Sequence, residues 1–189
     1  MKLGLHIGLN SVQPAAYNGW DGELYAAVAD ARAHAGLFAQ HGYATRALLN
    51  EDATLRKVRA ELSGLASALK ADDTLIISFS GHGSRAPGWI FASYREALCL
   101  YDGQFSDQEL RAALTAFAPG SRVIVILDCC YSGGMDRSGV SREGAKGAKV
   151  CPRFISEYIP PPQLVPLPAR GNSIATSALL LTACRADET

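Results

Sequence analysis

Residues 74–84 read TLIISFSGHGS, and residues 122–133 read RVIVILDCCYSG. Each stretch opens with a short run of branched apolar residues and closes in a turn of small residues. A near-continuous apolar run of this length is typical of a parallel strand buried on both faces. We therefore predict two buried strands, with His82 just beyond the carboxyl end of the first and the pair Cys129 and Cys130 just beyond the second.

Strands and helices alternate along the chain around these two stretches. The predicted strands are Leu3–Gly8, Tyr43–Leu49, Thr74–Ser80, Arg122–Leu127 and a segment centred on Ala178–Thr182. Apolar residues at helical spacing predict a first helix that starts at Leu24 and is ended by His41 and Gly42. Two further helices are predicted over Asp52–Lys70 and over Ser106–Ala118. Residues 88–101 are expected to form a small hairpin or a loop. This alternation predicts an α/β sandwich around a mainly parallel sheet.

The totals fit one packed domain. The chain has 189 residues, 48% of them hydrophobic, with 18 basic and 18 acidic side chains. The balanced charge argues against a nucleic-acid partner, and no apolar run reaches the roughly 18–20 residues of a membrane helix. The first ten residues read as a strand and not as an export signal, so we expect a cytoplasmic protein whose five cysteines are free thiols.

One long segment breaks the alternation. Residues 131–172 contain six glycines, six prolines and six basic residues with little periodicity. A connection this long in an α/β domain is either functional or disordered. The chain stops at Thr189, directly after the last predicted strand, where a covering helix would be expected. We therefore expect a truncated or processed product.

The histidine and the cysteine suggest catalytic chemistry. Ligands of open parallel sheets bind beyond the carboxyl ends of the strands. If the two apolar strands are neighbours, His82 and Cys130 converge at one edge, where the histidine can favour the nucleophilic thiolate. Backbone N–H groups of Gly83 and Cys130 would then face the oxyanion of an acyl-transfer intermediate. Taken singly, a buried structural thiol and a surface histidine are the commoner roles, so the hypothesis depends on the pair.

The blocks FSGHGS and DCCYSG resemble the signatures of the caspase–haemoglobinase fold, in particular those of prokaryotic metacaspases, or orthocaspases. Those signatures are Ser-Gly-His-Gly and Asp-x-Cys-x-Ser-Gly, and the resemblance extends to the terminal TACRADET. It implies a three-layer, caspase-like α/β sandwich in which residues 1–189 form a single p20-type domain. The implied processing loop covers about 131–172, and the start of the p10-type part covers about 173–189.

The resemblance also implies the roles of individual residues. By its place in the motif, Cys130 and not Cys129 is the implied nucleophile, and His82 is the implied base. Tyr131 stands where the family often has histidine, a change we expect to be tolerated because proton abstraction falls to His82. The implied activity is that of a cysteine endopeptidase that cleaves after Arg or Lys, and the implied partner is a peptide or protein substrate with a basic P1 residue.

Three polar residues match the S1 pocket of such enzymes: Asp30, Ser80 and Asp128. Other interpretations exist for the carboxylates, because Asp128 at a strand end can cap a turn and Asp30 by periodicity alone is a solvated helix position. If the first helix begins near Val28 instead of Leu24, Asp30 falls in its first turn, close to the carboxyl edge of the sheet.

Calcium activates some members of the family through clustered acids. The candidates here are Asp102, Asp107, Glu109 and Asp136, and a typical acidic pair is replaced by Asp107 and Gln108. Calcium takes six to eight oxygen ligands, and few candidate ligands are visible in the sequence. We prefer a solvated loop and a helix N-terminus that favours acids, and predict no metal or other cofactor.

Two other classes of function were weighed. The first is a catalytically silent caspase-like module that binds partners or regulates an active relative, and the second is a flavodoxin-like binding domain with incidental cysteines. Neither gives a chemical reason for His82 together with Cys130. The oligomeric state stays open. The basic residues of the long loop predict sites of self-cleavage: Arg137, Arg142, Lys146, Lys149, Arg153 and Arg170.

Overall fold

The structure is a computed structural model that describes residues 1–87, 94–129, 154–155 and 177–182, with side chains described for 1–84, 96–129, 179 and 181. Short 3-10 turns cover Pro14–Ala16 and Asn50–Asp52. In chain order the other elements are β1 (Lys2–Gly8), α1 (Ala27–Gln40), β2 (Ala44–Leu49), α2 (Leu55–Ala68), β3 (Thr74–Ser80), β4 (Gly83–Pro87), β5 (Tyr94–Leu100), β6 (Gly103–Ser106), α3 (Asp107–Thr115), β7 (Arg122–Asp128), β8 (Phe154–Ile155) and β9 (Ser177–Thr182).

A five-stranded sheet in the order β2-β1-β3-β7-β9 forms the centre of the domain, and all of its neighbouring strands are parallel. A second sheet has the order β6-β5-β4-β8. The mainly parallel sheet with helices on its two faces confirms the predicted α/β sandwich. Among the helices that the structure describes, none combines the length and the apolar character needed to cross a bilayer.

The main hydrophobic core lies between the central sheet and the pair α2 and α3. Alternate residues of each strand point to one face, and this face carries the large apolar side chains. The second sheet closes the core from the side with Leu98, Leu100 and Phe105. The buried residues that meet here include Leu5, Ile7, Leu75, Ile77, Phe79, Val123, Val125 and Leu127 from the strands and Val58, Leu62, Leu110 and Leu114 from the helices.

The opposite face of the sheet is covered by α1, which lies unusually close to β1. A Cβ atom built on Gly8 would be 2.6 Å from the Cβ of Ala31 and 2.7 Å from the carbonyl oxygen of Ala27. Only a residue without a side chain allows the helix to approach this far. The small residues of α1 and the glycine of β1 therefore set the distance between helix and sheet together.

The first helix begins at Ala27, so the prediction that it starts at Leu24 was wrong. The N–H of Leu24 donates instead to the backbone oxygen of Asn10 (2.7 Å), and the side-chain oxygen of Asn10 accepts from the N–H of Val28 (3.0 Å). Asn10 therefore caps α1 from outside the helix. The late start places Asp30 in the first turn, as the S1 interpretation requires.

The other helices agree with the sequence except at their ends. The second helix begins at Leu55 and not at Asp52, because Thr54 caps it by accepting from the N–H of Lys57 (3.2 Å). The capping box predicted at the start of α3 is present: the hydroxyl of Ser106 accepts from the N–H of Glu109 (3.2 Å), and the Glu109 carboxylate accepts from the N–H of Ser106 (3.0 Å).

The second sheet corrects the hairpin prediction for residues 88–101. Its hairpin has earlier and longer arms, because β4 starts at Gly83 and pairs antiparallel with β5, which also pairs with β6. The predicted domain and loop boundaries in 131–172 and 173–189 fall largely outside the described residues and stay predictions.

Candidate active site

The candidate catalytic residues follow two strands that are direct neighbours. The strands β3 and β7 are parallel, and Ser80 stands in register with Asp128. His82 lies two residues beyond Ser80, and Cys130 lies two residues beyond Asp128. The condition on which the catalytic hypothesis depended, that the two strands be adjacent, is therefore confirmed. Cys130 itself lies outside the described residues, so its role as nucleophile stays a prediction.

His82 is held in a tight turn between the two sheets. A Cβ atom on Gly81 would lie 2.8 Å from the ring of Phe79, so glycine lets the chain pass over that ring. The N–H of Gly81 donates to the oxygen of Asp128 (3.4 Å), and the N–H of Cys99 donates to the oxygen of His82 (2.9 Å). The His82 side chain is only 7% exposed. The turn therefore fixes the backbone of the histidine to both neighbouring strands.

His82 is in contact with an aromatic residue, Trp20, which the sequence analysis did not identify. The indole of Trp20 contacts the imidazole edge to face, with ring centroids 4.6 Å apart and an angle of 63° between the planes. Trp20 comes from the loop between β1 and α1, more than sixty positions before His82. No local pattern could have indicated this contact, because it joins two loops through the tertiary fold.

Cys129 belongs to the core. It continues the buried alternation of Val123, Val125 and Leu127 along β7, and its residue is 2% exposed. It lies in the hydrophobic cluster that includes Phe79. A thiol in this setting is screened from substrate, which agrees with the assignment of Cys130 and not Cys129 as the candidate nucleophile.

Cys99 is also buried, on β5 next to the histidine turn. Burial raises the pKa of its thiol to about 12, although the neighbouring Ser84 side chain partly opposes this effect. The thiolate is the reactive form of cysteine, and it is essentially absent at this position near neutral pH. Cys99 therefore has a structural role, in line with its apolar surroundings.

Gly83, one candidate for the oxyanion hole, is the first residue of β4 and stands opposite Leu98 of β5. Because the N–H of Cys99 donates to His82, Gly83 and Leu98 form a pair that exchanges no hydrogen bonds. The N–H of Gly83 is thus directed away from β5. Its partner Cys130 in the predicted oxyanion hole lies outside the described residues.

The three S1 candidates lie on the α1 side of the same sheet edge. Ser80 and Asp128 are neighbours in register, and neither belongs to the core-facing set of its strand. Ser80 is fully buried, and its hydroxyl has no hydrogen-bond partner among the residues whose side chains are described. Asp30 is partly exposed in the first turn of α1, the helix that covers this face. The S1 assignment stays a prediction with a consistent placement.

A buried histidine that sequence reasoning missed lies further along the same face. His6 of β1 is 0% exposed, and its Nδ1 is 2.8 Å from the hydroxyl of Ser78 on β3. Burial, and to a smaller extent the charge of His34, lower the pKa of His6 to about 4. The imidazole is therefore neutral in the folded protein near pH 7, and with Ser78 it forms a polar layer behind Ser80.

Two of the calcium candidates, Asp102 and Glu109, use their carboxylates to cap the first turns of helices. The Asp102 carboxylate accepts from the N–H of Leu55 (2.7 Å) at the start of α2, and Glu109 closes the capping box and pairs with Arg59. Burial works against ionisation of Glu109, but hydrogen bonds from Ser106 and Arg59 outweigh it and keep its pKa below the usual value. Within the described part of the chain, no cluster of three metal-binding side chains occurs. Asp136 lies outside that part, and Asp107 starts α3.

The fold and the paired strand ends are those of a caspase-like protein. The family model described as the caspase domain matches residues 12–189. The chain therefore belongs to the caspase-domain family of cysteine peptidases, as its two motifs had indicated.

The relatives are metacaspases. The chain is 27% identical to Metacaspase-4 of Arabidopsis thaliana and 28% identical to Metacaspase-7 of the same plant, each over 71% of this chain. It spans about a third of the length of these relatives (34% and 35%). A crystal structure of protein GSU0716 from Geobacter sulfurreducens is similar at a TM-score of 0.65 and 39% identity, over 68% of this chain and 50% of that one.

Proposed function

We propose that this chain carries the catalytic centre of a cysteine endopeptidase that cleaves peptide bonds after Arg or Lys. The observation that supports this most directly is the register of β3 and β7. His82 and Cys130 follow the register partners Ser80 and Asp128 at equal offsets, at one edge of a parallel sheet. Ligands of such sheets bind at this edge.

The chemistry runs through a thioester. His82 accepts the proton of the Cys130 thiol, and the thiolate attacks the scissile carbonyl carbon. N–H groups of Gly83 and Cys130 stabilise the tetrahedral oxyanion. The C–N bond then breaks as His82 returns the proton to the leaving amine. Water, deprotonated by His82, attacks the thioester and releases the acid product and the free thiol.

Specificity for a basic P1 residue rests on the carboxylates of Asp30, in the first turn of α1, and Asp128, at the end of β7, together with the hydroxyl of Ser80 at the end of β3. Two carboxylates near one pocket favour a cation and disfavour an acidic P1 residue. A guanidinium binds a carboxylate with two parallel hydrogen bonds, whereas an ammonium acts as a point charge. Arg is therefore the preferred residue and Lys the second.

The test is modification by a peptidyl-Arg electrophile, followed by intact mass and peptide mapping. The proposal expects one adduct, on Cys130, with matching loss of cleavage of a fluorogenic peptidyl-Arg substrate. Cys130→Ala should take up no label and cleave nothing, while Cys129→Ala should retain both properties. Labelling of Cys129 instead of Cys130 would contradict the assignment of the nucleophile. Folded wild-type protein that neither reacts nor cleaves would favour a silent caspase-like module.

A further inference from the structure

We propose that Trp20 is the positioning residue of the active-site histidine: its indole fixes the orientation of the His82 imidazole and covers one side of the ring. This inference rests on the proposed function, in which His82 is the base. It assigns a role in that site to the loop between β1 and α1. No residue of this loop belongs to either sequence motif.

The contact has the geometry of a specific aromatic interaction. Edge-to-face ring pairs prefer centroid separations of about 4.5–7 Å. The Trp20–His82 pair, at 4.6 Å and 63°, lies at the close end of that range. His82 is almost completely buried while Trp20 is partly exposed, so the contact joins a buried ring to one that reaches the surface.

The histidine needs such a contact because its own sequence neighbours cannot orient it. Gly81 and Gly83 flank His82 and have no side chains that restrict its torsions. The backbone hydrogen bonds described above fix the Cα position of His82 but not its ring. Trp20 provides a contact from another part of the chain that restricts the orientation of the imidazole.

Trp20 is itself anchored. The backbone N–H of Trp20 donates to the backbone oxygen of Tyr17 (3.0 Å). The two rings meet edge to face, with their centroids 6.0 Å apart. The hydroxyl of the buried Tyr17 lies 2.5 Å from the carbonyl oxygen of Leu100 and 2.7 Å from that of Gly103. Tyr17 thereby ties the base of the loop to the second sheet. The indole is thus held by a chain of contacts that ends in the core.

A glycine leaves the space that the indole fills. Gly22 has a φ of +61°, and a Cβ atom there would lie 2.9 Å from Cη2 of Trp20 and 3.1 Å from Cγ2 of Val12. A side chain at position 22 would strain the backbone and push on the far end of the indole. Gly22→Ala therefore displaces Trp20 without removing any aromatic group, which makes it a second probe of the same contact.

The direct readout is tryptophan fluorescence. The chain contains two tryptophans, Trp20 and Trp89, so a Trp89→Phe protein reports on Trp20 alone. An imidazolium in contact with an indole accepts an electron from its excited state and quenches it, whereas a neutral imidazole quenches far less. The proposal expects Trp20 emission to fall in a single step as the pH is lowered and His82 takes up a proton. His82→Gln should abolish this transition, and His41→Gln, at an exposed helix end, should not.

The kinetic readout separates positioning from folding. Relative to the Trp89→Phe protein, Trp20→Leu should lower kcat by roughly two- to tenfold, the rate equivalent of one aromatic pair, with KM little changed. Trp20→Phe should recover most of the loss, and Gly22→Ala should reproduce part of it. Thermal unfolding identifies variants that are merely unfolded, and only folded variants are compared.

The outcomes are distinct. Trp20 emission that is independent of His82, or a folded Trp20→Leu protein with unchanged kcat, would overturn the positioning role. A His82-dependent transition in a protein that cleaves no peptide would leave the contact intact and overturn the proposed function instead. The fluorescence experiment needs no peptidase activity, so the two proposals fail separately.

Discussion

Ser80 and Asp128 are register partners on adjacent parallel strands, and both lie on the face of the sheet that α1 covers. One residue is a fully buried hydroxyl and the other a partly exposed carboxylate. Their separation is fixed by the spacing of hydrogen-bonded strands, about 4.8 Å. The candidate site is therefore built largely on the ends of strands, and among the described residues Asp30 and Trp20 come to it from a helix and a loop.

The first prediction concerns this pair. Asp128→Asn should lower kcat/KM for a peptidyl-Arg substrate by about 30-fold or more, because losing one partner of a buried charge pair costs on the order of 2–5 kcal/mol. Asp30→Asn should act in the same direction. Peptides that differ only at P1 give the measurement, and Glu51→Gln, an exposed acid in the turn before α2, is the matched control. Faster cleavage after Asp than after Arg in the unaltered protein would contradict the pocket assignment.

The second prediction concerns the buried thiols. In the folded protein at pH 8, iodoacetamide should modify Cys99 far more slowly than Cys130, because burial holds the Cys99 pKa near 12 and restricts access. Cys129, in the core, should be protected in the same way. Peptide mapping after timed alkylation gives the rates, and unfolding in urea should equalise them. Rapid native alkylation of Cys99 would show that the β5 region opens readily.

The third prediction is a pH dependence of stability that originates in His6. Its folded-state pKa of about 4 lies below the roughly 6.5 of an unfolded histidine, so the unfolded chain binds more protons between these values. The stabilising effect of the neutral imidazole is complete above about pH 6.5 and is lost as the pH falls towards 4. The loss should be on the order of 1–3 kcal/mol.

Urea unfolding at pH 7.5 and pH 5 measures this loss. His6→Asn keeps an amide near Ser78 but does not titrate, so it should be less stable at pH 7.5 and show a smaller change between the two pH values. His41→Gln serves as the control for an exposed histidine. An identical pH dependence in the His6→Asn protein and the unaltered one would contradict the assignment to His6.

The fourth prediction is self-cleavage within residues 131–172. The segment offers six basic residues in a glycine- and proline-rich setting, which suits proteolysis by an enzyme that selects Arg or Lys. Intact mass after incubation should reveal fragments that end in one of these basic residues. The Cys130→Ala protein should stay whole under the same conditions. If the protein cleaves peptide substrates but does not cleave its own chain, the prediction is wrong and the segment is a linker.

Strand prediction succeeded where the signal was local. The buried runs at β3 and β7 are continuous in sequence, and β3 has the predicted bounds. The helix prediction began too early because Leu24 lies four positions before Val28 and so fits the helical spacing. The local sequence does not indicate that the backbone N–H of Leu24 donates to the backbone oxygen of Asn10. The second sheet was largely missed, because Pro87 and the short polar β6 give no strand pattern of their own.

The site divides in the same way. His82 and Cys130 stand in two short motifs whose order and spacing are visible in the chain. Trp20 and His6 have no motif, because each acquires its role only when distant segments pack together. The start of α1, on which Asp30 depends, was left conditional in the sequence and is decided by the side chain of Asn10.

The close approach of α1 to β1 at Gly8 means that, if Asp30, Ser80 and Asp128 form the proposed S1 pocket, a residue outside that pocket sets its width. Alanine at this position would force Ala27 and Ala31 outward and carry Asp30 with them, while Ser80 and Asp128 stay on their strands. Under the proposed specificity, the preference between Arg and Lys would then change without any substitution in the S1 residues themselves. Because Gly8 has no Cβ atom, it sets the distance between α1 and β1.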